Sequence, residues 1–142
     1  MKFSEIIGLF KEGKSTSKSH MKNLLEIAMA DSHYDDEEHK LLLKLASKHG
    51  VSERELKKIQ DNPDAVEFEL PESEDEKFEQ FYELIHMMTI DQKILDEEMS
   101  LCRVFAKKFG YSKPRDLVEA ISLNIQNDQP CDETQKRVIT LL

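Results

Sequence analysis

The sequence predicts an all-α fold: a single-domain helical bundle of about seven or eight helices with an internal pseudo-twofold repeat. Three observations predict it. First, the chain matches itself at an offset of 60 positions, where residues 31–52 fall on 91–112 without a gap. Asp31 meets Asp91, Asp36 meets Asp96, Glu37 meets Glu97, Glu38 meets Glu98, Leu41 meets Leu101, Ala46 meets Ala106 and Gly50 meets Gly110. An ungapped match of this kind marks a duplicated supersecondary unit that packs as a pseudo-symmetric pair. Second, the apolar residues are Leu, Ile, Met and Phe, with no Trp, 3 Tyr, 4 Gly and 4 Pro, a composition that favours helices over strands. Third, the apolar residues recur at helical spacing between stop signals at Gly50, Asn62-Pro63, Gly110 and Asn127–Pro130.

The elements follow in order. Residues 1–18 are the one basic stretch, with Lys2, Lys11, Lys14 and Lys18 against Glu5 and Glu12. Phe3, Ile6, Ile7 and Phe10 make it amphipathic, and Gly13 to Ser19 reads as a flexible joint. Such a segment docks on the domain or touches an anionic membrane surface weakly. The helical domain is expected over 19–142, its halves at about 20–60 and 78–125. A first helix over 19–30 points Met21, Leu24, Leu25 and Ala28 inward. A second, capped by Asp36, buries Leu41, Leu42, Leu45 and Ala46 and ends at Gly50, where a left-handed residue is wanted. Ser52 with Glu55 has capping-box spacing and opens a third helix carrying Leu56 and Ile59.

Residues 61–76 contain eight acids and no Lys or Arg, and Val66, Phe68 and Leu70 alternate within them. This connector is expected to lie extended against the helices as a solvated linker, with attraction of a basic partner the alternative. Ser73 with Glu76 opens the next helix, whose stripe is Phe78, Phe81, Tyr82, Ile85 and Met88. The second copy then runs from Asp96 as cap to Phe109, stops at Gly110, and restarts with Ser112 as cap and Pro114 in the first turn. Leu117, Val118, Ile121 and Ile125 supply that helix's face. Asp132 caps a last short helix carrying Val138, Ile139 and Leu142.

Bulk properties narrow the function. The 142 residues suit one core. A net charge of −9 argues against a nucleic-acid binder, which carries a basic face. No apolar run reaches about 18 residues, so no transmembrane segment is expected, and Met1 to Glu5 do not open a secretory signal. Cys102 and Cys131 form no paired motif, which fits a reducing cytoplasm. Cys102 aligns with Leu42 and reads as a buried small hydrophobe. Met87, Met88 and Met99 read as adaptable core. No serine elbow, glycine-rich phosphate loop or Cys–His pairing occurs, so the protein is read as non-enzymatic.

The duplicated acidic turn, D-x-x-x-x-D-E-E, is where chemistry is expected. Helix physics explains most of it. Asp36 and Asp96 are good caps worth about 1 kcal/mol. Glu37, Glu38, Glu97 and Glu98 sit where the helix dipole favours negative charge by about 0.3–1 kcal/mol each. Asp31 and Asp91 lie instead at the C-terminal ends of helices, which the dipole disfavours; an Asx turn offsets that cost. The sharper alternative has Asp31 reach toward Glu38, and Asp91 toward Glu98. Two carboxylates about 4 Å apart repel by roughly 4 kcal/mol at an effective dielectric of 20, a penalty that a bound cation removes. Oxygen ligands suit Ca²⁺ or Mg²⁺. The spacing is not an EF-hand, because the sixth and twelfth positions from Asp31 are Asp36 and Leu42. His33 and His39 flank the first turn but become Lys93 and Met99 in the second, so they read as surface histidines and not as zinc or nickel ligands.

The run Met29-Ala30-Asp31, Glu38, Leu41, Ala46, Gly50, repeated as Asp91, Glu98, Leu101, Ala106, Gly110, resembles the TerB-like (tellurite-resistance B) domain family over about residues 20–125. After each Asp that family usually carries Gly, and here Ser32 and Gln92 stand instead. The resemblance implies an all-helical, non-enzymatic module of stress response or regulation. It implies that Asp31, Glu38, Asp91 and Glu98 bind a divalent cation or a protein partner, with Ca²⁺ or Mg²⁺ the cations expected. The alternative is a protein–protein interaction domain without metal, its acids serving as helix caps and surface charge.

Overall fold

A computed structural model describes residues 3–30, 34–90 and 96–142, with side chains from Ser15 onward. The described residues form seven α-helices: α1 (Phe3–Met29), α2 (Asp36–Lys48), α3 (Glu53–Asp61), α4 (Glu74–Thr89), α5 (Asp96–Lys108), α6 (Pro114–Gln126) and α7 (Cys131–Arg137). Single 3₁₀ turns lie at Pro63–Ala65 and Ile139–Leu141, and no strand occurs among the described residues.

Within the duplicated stretch, the helices that open at Asp36 and Asp96 have the same length and end in the same way. Both helices of the pair, α2 and α5, end in a Schellman motif, in which a left-handed residue lets the chain turn back onto its last carbonyls. Gly50 (φ +72°) and Gly110 (φ +89°) supply the left-handed residue. The Val51 amide donates to Ala46 O at 2.8 Å and the Tyr111 amide to Ala106 O at 3.0 Å. Val51 and Tyr111 are then buried, which anchors the start of the following helix.

Packing repeats the same relation. Helices α1 and α4 pack on each other at the centre; α2 and α3 flank α1, while α5 and α6 flank α4. Each half also reaches across: α5 touches α1 as α2 touches α4. One core results, with Met21, Leu24, Ile27, Leu42, Phe78, Phe81, Leu84, Phe105 and Ile121 each at most 1% exposed. Phe81, Phe109 and Tyr111 stack at 5.2–6.3 Å between ring centroids. Cys102 is fully buried, its thiol 3.6 Å from Met88 Sδ, and Met87 and Met88 are core residues.

Several local expectations shift. Helix α1 runs unbroken through Gly13–Ser19, where a joint is predicted. A glycine inside a helix costs only about 1 kcal/mol, and tertiary contacts override it. Ser15 Oγ donates to Glu69 Oε2 at 2.7 Å, the Glu69 amide donates to Ser19 Oγ at 2.9 Å, and Lys22 Nζ donates to Val66 O at 3.0 Å. The acidic connector is thus laid along α1, with Val66 and Leu70 turned to the core. Phe68 is 39% exposed, lying against Phe109 and beneath the Lys108 ammonium.

Caps move by a residue or two. Asp35, not Asp36, caps α2, its carboxylate accepting the Glu38 amide at 2.9 Å. Lys113, not Ser112, precedes α6, because Pro114 occupies the first helical position. Pro130, not Asp132, precedes α7. Ser52 and Ser73 cap as expected, accepting the amides of Glu55 and Glu76. At the C-terminus the 3₁₀ turn rotates Ile139 and Leu142 outward, leaving Val138 buried and Leu141 half-buried.

Candidate functional site

The predicted acidic turns are seen in part. Asp31 and Asp91 lie outside the described residues, as does His33. Glu38 and Glu98 stand in the first turns of α2 and α5, and each is 3% exposed. Their neighbours Asp36, Glu37, Asp96 and Glu97 are exposed, as helix-dipole acids should be. The buried glutamates act on nearby protons. Burial, aided by the Glu38 charge, pushes the Tyr34 phenol up to about 12. Burial, aided by the Glu98 charge, pushes the Cys102 thiol up to about 12. His39 is exposed and pairs with the Tyr34 hydroxyl at 2.8 Å, consistent with a surface histidine.

A second cluster lies where α1, α2 and α4 meet. His20 projects from α1, Lys48 and His49 from the end of α2, and Glu79 and Glu83 from one face of α4. Glu83 Oε1 lies 2.8 Å from His20 Nε2 and 2.7 Å from His49 Nε2. Glu83 Oε2 accepts from Lys48 Nζ at 2.7 Å, and Lys48 also pairs with Glu79. The two imidazoles meet edge to face, their centroids 5.0 Å apart. His20 is wholly buried, the Glu83 side chain is 4% exposed and the His49 side chain 15%.

The carboxylate decides the protonation pattern. An ionised carboxylate oxygen only accepts, so each imidazole presents its proton at Nε2. Burial alone would raise the Glu83 carboxyl. The hydrogen bonds from His20 and His49, with the Lys48 ammonium, hold it instead well below the usual carboxylate range. Burial lowers His20 below its ordinary value in spite of Glu83, so the ring is neutral. Burial would also lower Lys48, but the hydrogen bonds to Glu79 and Glu83 raise it. With the proton on Nε2, His20 Nδ1 is a buried atom without a hydrogen-bond partner. The ligand atoms of His20, His49 and Glu83 all lie within 4.8 Å of one another.

Sequence signals for this cluster exist. His20 precedes Leu24 and Ile27 at helical spacing on the apolar face of α1. At the offset of the repeat, His20 falls on Gln80, Glu83 on Asn23 and His49 on Phe109. All six are largely or wholly buried. The fold therefore places polar residues in the core at matching positions on α1 and α4.

A separate groove lies elsewhere among the described residues. It encloses about 790 Å³ between α1, α3 and the connector, lined by Lys18, Lys58, Glu55, Glu67 and Glu69 among others. Charges of both signs line it, and Lys18 reaches Glu55 at 3.6 Å. Ser15 and Glu69, hydrogen-bonded at 2.7 Å, also line it. Among the described residues, no helix is long and apolar enough to cross a membrane. Compared with protein-family models, with curated proteins and with solved structures, the chain finds no match.

Proposed function

We propose that this protein is a non-enzymatic, TerB-like module of stress response or regulation that binds a divalent cation, Ca²⁺ or Mg²⁺, at its acidic inter-helical turns. One observation carries the reading: Glu38 and Glu98 are equally buried, 3% exposed, at the same place in the two halves. Capping and the helix dipole ask only for exposed acids, and Asp35, Asp36 and Glu37 already meet that need at α2. A carboxylate withdrawn from water at both turns, with Asp31 and Asp91 preceding it by seven residues, offers hard oxygen ligands. On this reading the module works in the cytoplasm with its two thiols free, and a protein partner, not a nucleic acid, reads its state.

A second reading is a metal-free interaction domain. The exposed acids of the connector, Asp61, Asp64, Glu67 and Glu72, favour it by offering a basic partner a docking strip. Thermal melts separate the two. A cation present at 100 times its Kd adds about 2.7 kcal/mol of stability. Ca²⁺ or Mg²⁺ is expected to raise Tm, and Asp31→Asn with Asp91→Asn is expected to abolish the rise. Unchanged melts across both ions leave the interaction domain as the function.

A further inference from the structure

We propose that His20, His49 and Glu83 form a site for a borderline divalent transition-metal ion, of which Zn²⁺ is the type case. This site is separate from the acidic turns and does not depend on them. Its donors are two imidazole nitrogens and one carboxylate oxygen, a set that suits zinc, cobalt or nickel and not the hard cations Ca²⁺ and Mg²⁺.

Three features of the geometry support it. The donors come from α1, α4 and the end of α2, which pack against one another, so the site is built into the junction of the helices. Ligand atoms of a tetrahedral zinc site, bound at about 2.0–2.1 Å, lie roughly 3.3 Å apart. Glu83 Oε1 already stands 2.7–2.8 Å from both Nε2 atoms, so a small opening admits the ion. Finally, the fold does not require ligating residues here. The matching positions in the other half carry Gln80, Asn23 and Phe109, and they too are buried.

The charges also suit a cation. Among the ionised side chains, Glu83 and Glu79 outweigh Lys48 by one negative charge. When the ion binds, an imidazole that carries its proton on Nε2 moves it to Nδ1 and offers the freed Nε2 lone pair to the ion. Lys48 keeps Glu83 Oε2. His49 is the most exposed of the three donors, its side chain 15% exposed, so water or Glu79 on that side would complete the shell. Glu79 lies one turn before Glu83 on the same face of α4.

Titration of the metal-stripped 142-residue chain with CoCl₂ tests this. A single equivalent of Co²⁺ is expected to give the intense visible bands of a tetrahedral N/O site, and one equivalent of ZnCl₂ is expected to bleach them. His49→Phe, which installs the side chain found at position 109, is expected to lose the bands while keeping the helical circular dichroism of the parent. Glu38→Gln with Glu98→Gln is expected to leave them unchanged, which separates this site from the acidic turns. In the unmodified protein, imidazole ¹⁵N resonances of His20 and His49 are expected to shift together on adding Zn²⁺, a readout that needs no variant. Absence of one-to-one binding in the parent, or bands that persist in folded His49→Phe, would show the cluster to be only a hydrogen-bonded ionic knot.

Discussion

At the residue scale, burial controls proton chemistry. Cys102 was legible as a core residue because it aligns with Leu42, and it is wholly buried. Its thiol is raised from 9.0 to about 12, chiefly by burial, and that of half-buried Cys131 to about 11. A raised acid holds its proton more tightly in the folded chain than in the unfolded one. The stability this contributes is therefore whole below about pH 9 and is lost as pH rises toward 11 and 12. Urea midpoints are expected to fall progressively above pH 9. Cys102→Ala is expected to remove part of that fall, the remainder coming from Cys131 and from the phenols of Tyr34, Tyr82 and Tyr111, which burial also raises. At pH 8 a disulfide reagent should modify Cys131 slowly and Cys102 only after denaturation. Rapid modification of both thiols in the native protein would contradict the buried placement. His20 and Glu83 were not legible in the same way. Periodicity marks a position as inward, but pairing across three helices is a matter of tertiary contact.

At the element scale, the capping grammar was readable but its register was not always so. Ser52 and Ser73 stand alone before their helices and cap them. Two adjacent acids, Asp35 and Asp36, compete for one cap, and the first wins because its carboxylate reaches the amide three residues on. Pro114 takes the first helical position of α6 and leaves Lys113, with φ −124° and ψ 66°, before it. Aligned serines therefore have different worth. Ser52→Ala is expected to cost about 1 kcal/mol and Ser112→Ala only a few tenths, read from urea midpoints. Equal losses would mean that the repeat preserves capping as well as helix position. The joint predicted at Gly13–Ser19 fails for a related reason. Local flexibility signals yielded to Ser15, Ser19 and Lys22, which hold the connector against α1.

At the scale of the whole molecule, the two halves share one core. Helices α1 and α4 pack at its centre, and each half places a helix on the other's central helix. Separating the halves would expose Met21, Leu24, Phe81 and Leu84 at once, all of them wholly buried. At roughly 1.5–3 kcal/mol per large apolar side chain, neither half keeps enough burial to stand alone. Unfolding is expected to be a single transition. Far-ultraviolet circular dichroism, which follows all the helices, should share a urea midpoint with the tyrosine fluorescence of a Tyr34→Phe variant, whose remaining Tyr82 and Tyr111 lie in the second half. Two separated midpoints would show that the halves are independent units.

What the sequence determined by itself was the helical class, the duplication, the inward faces and the glycine turns. These depend on spacing along the chain, which periodicity and a 60-residue self-match record directly. What only the tertiary structure decided was which buried polar groups meet. Residues 20, 49 and 83 are far apart in sequence and carry no shared motif. They converge because the core brings α1, α2 and α4 together, and the distances that create chemistry between side chains exist only after that packing.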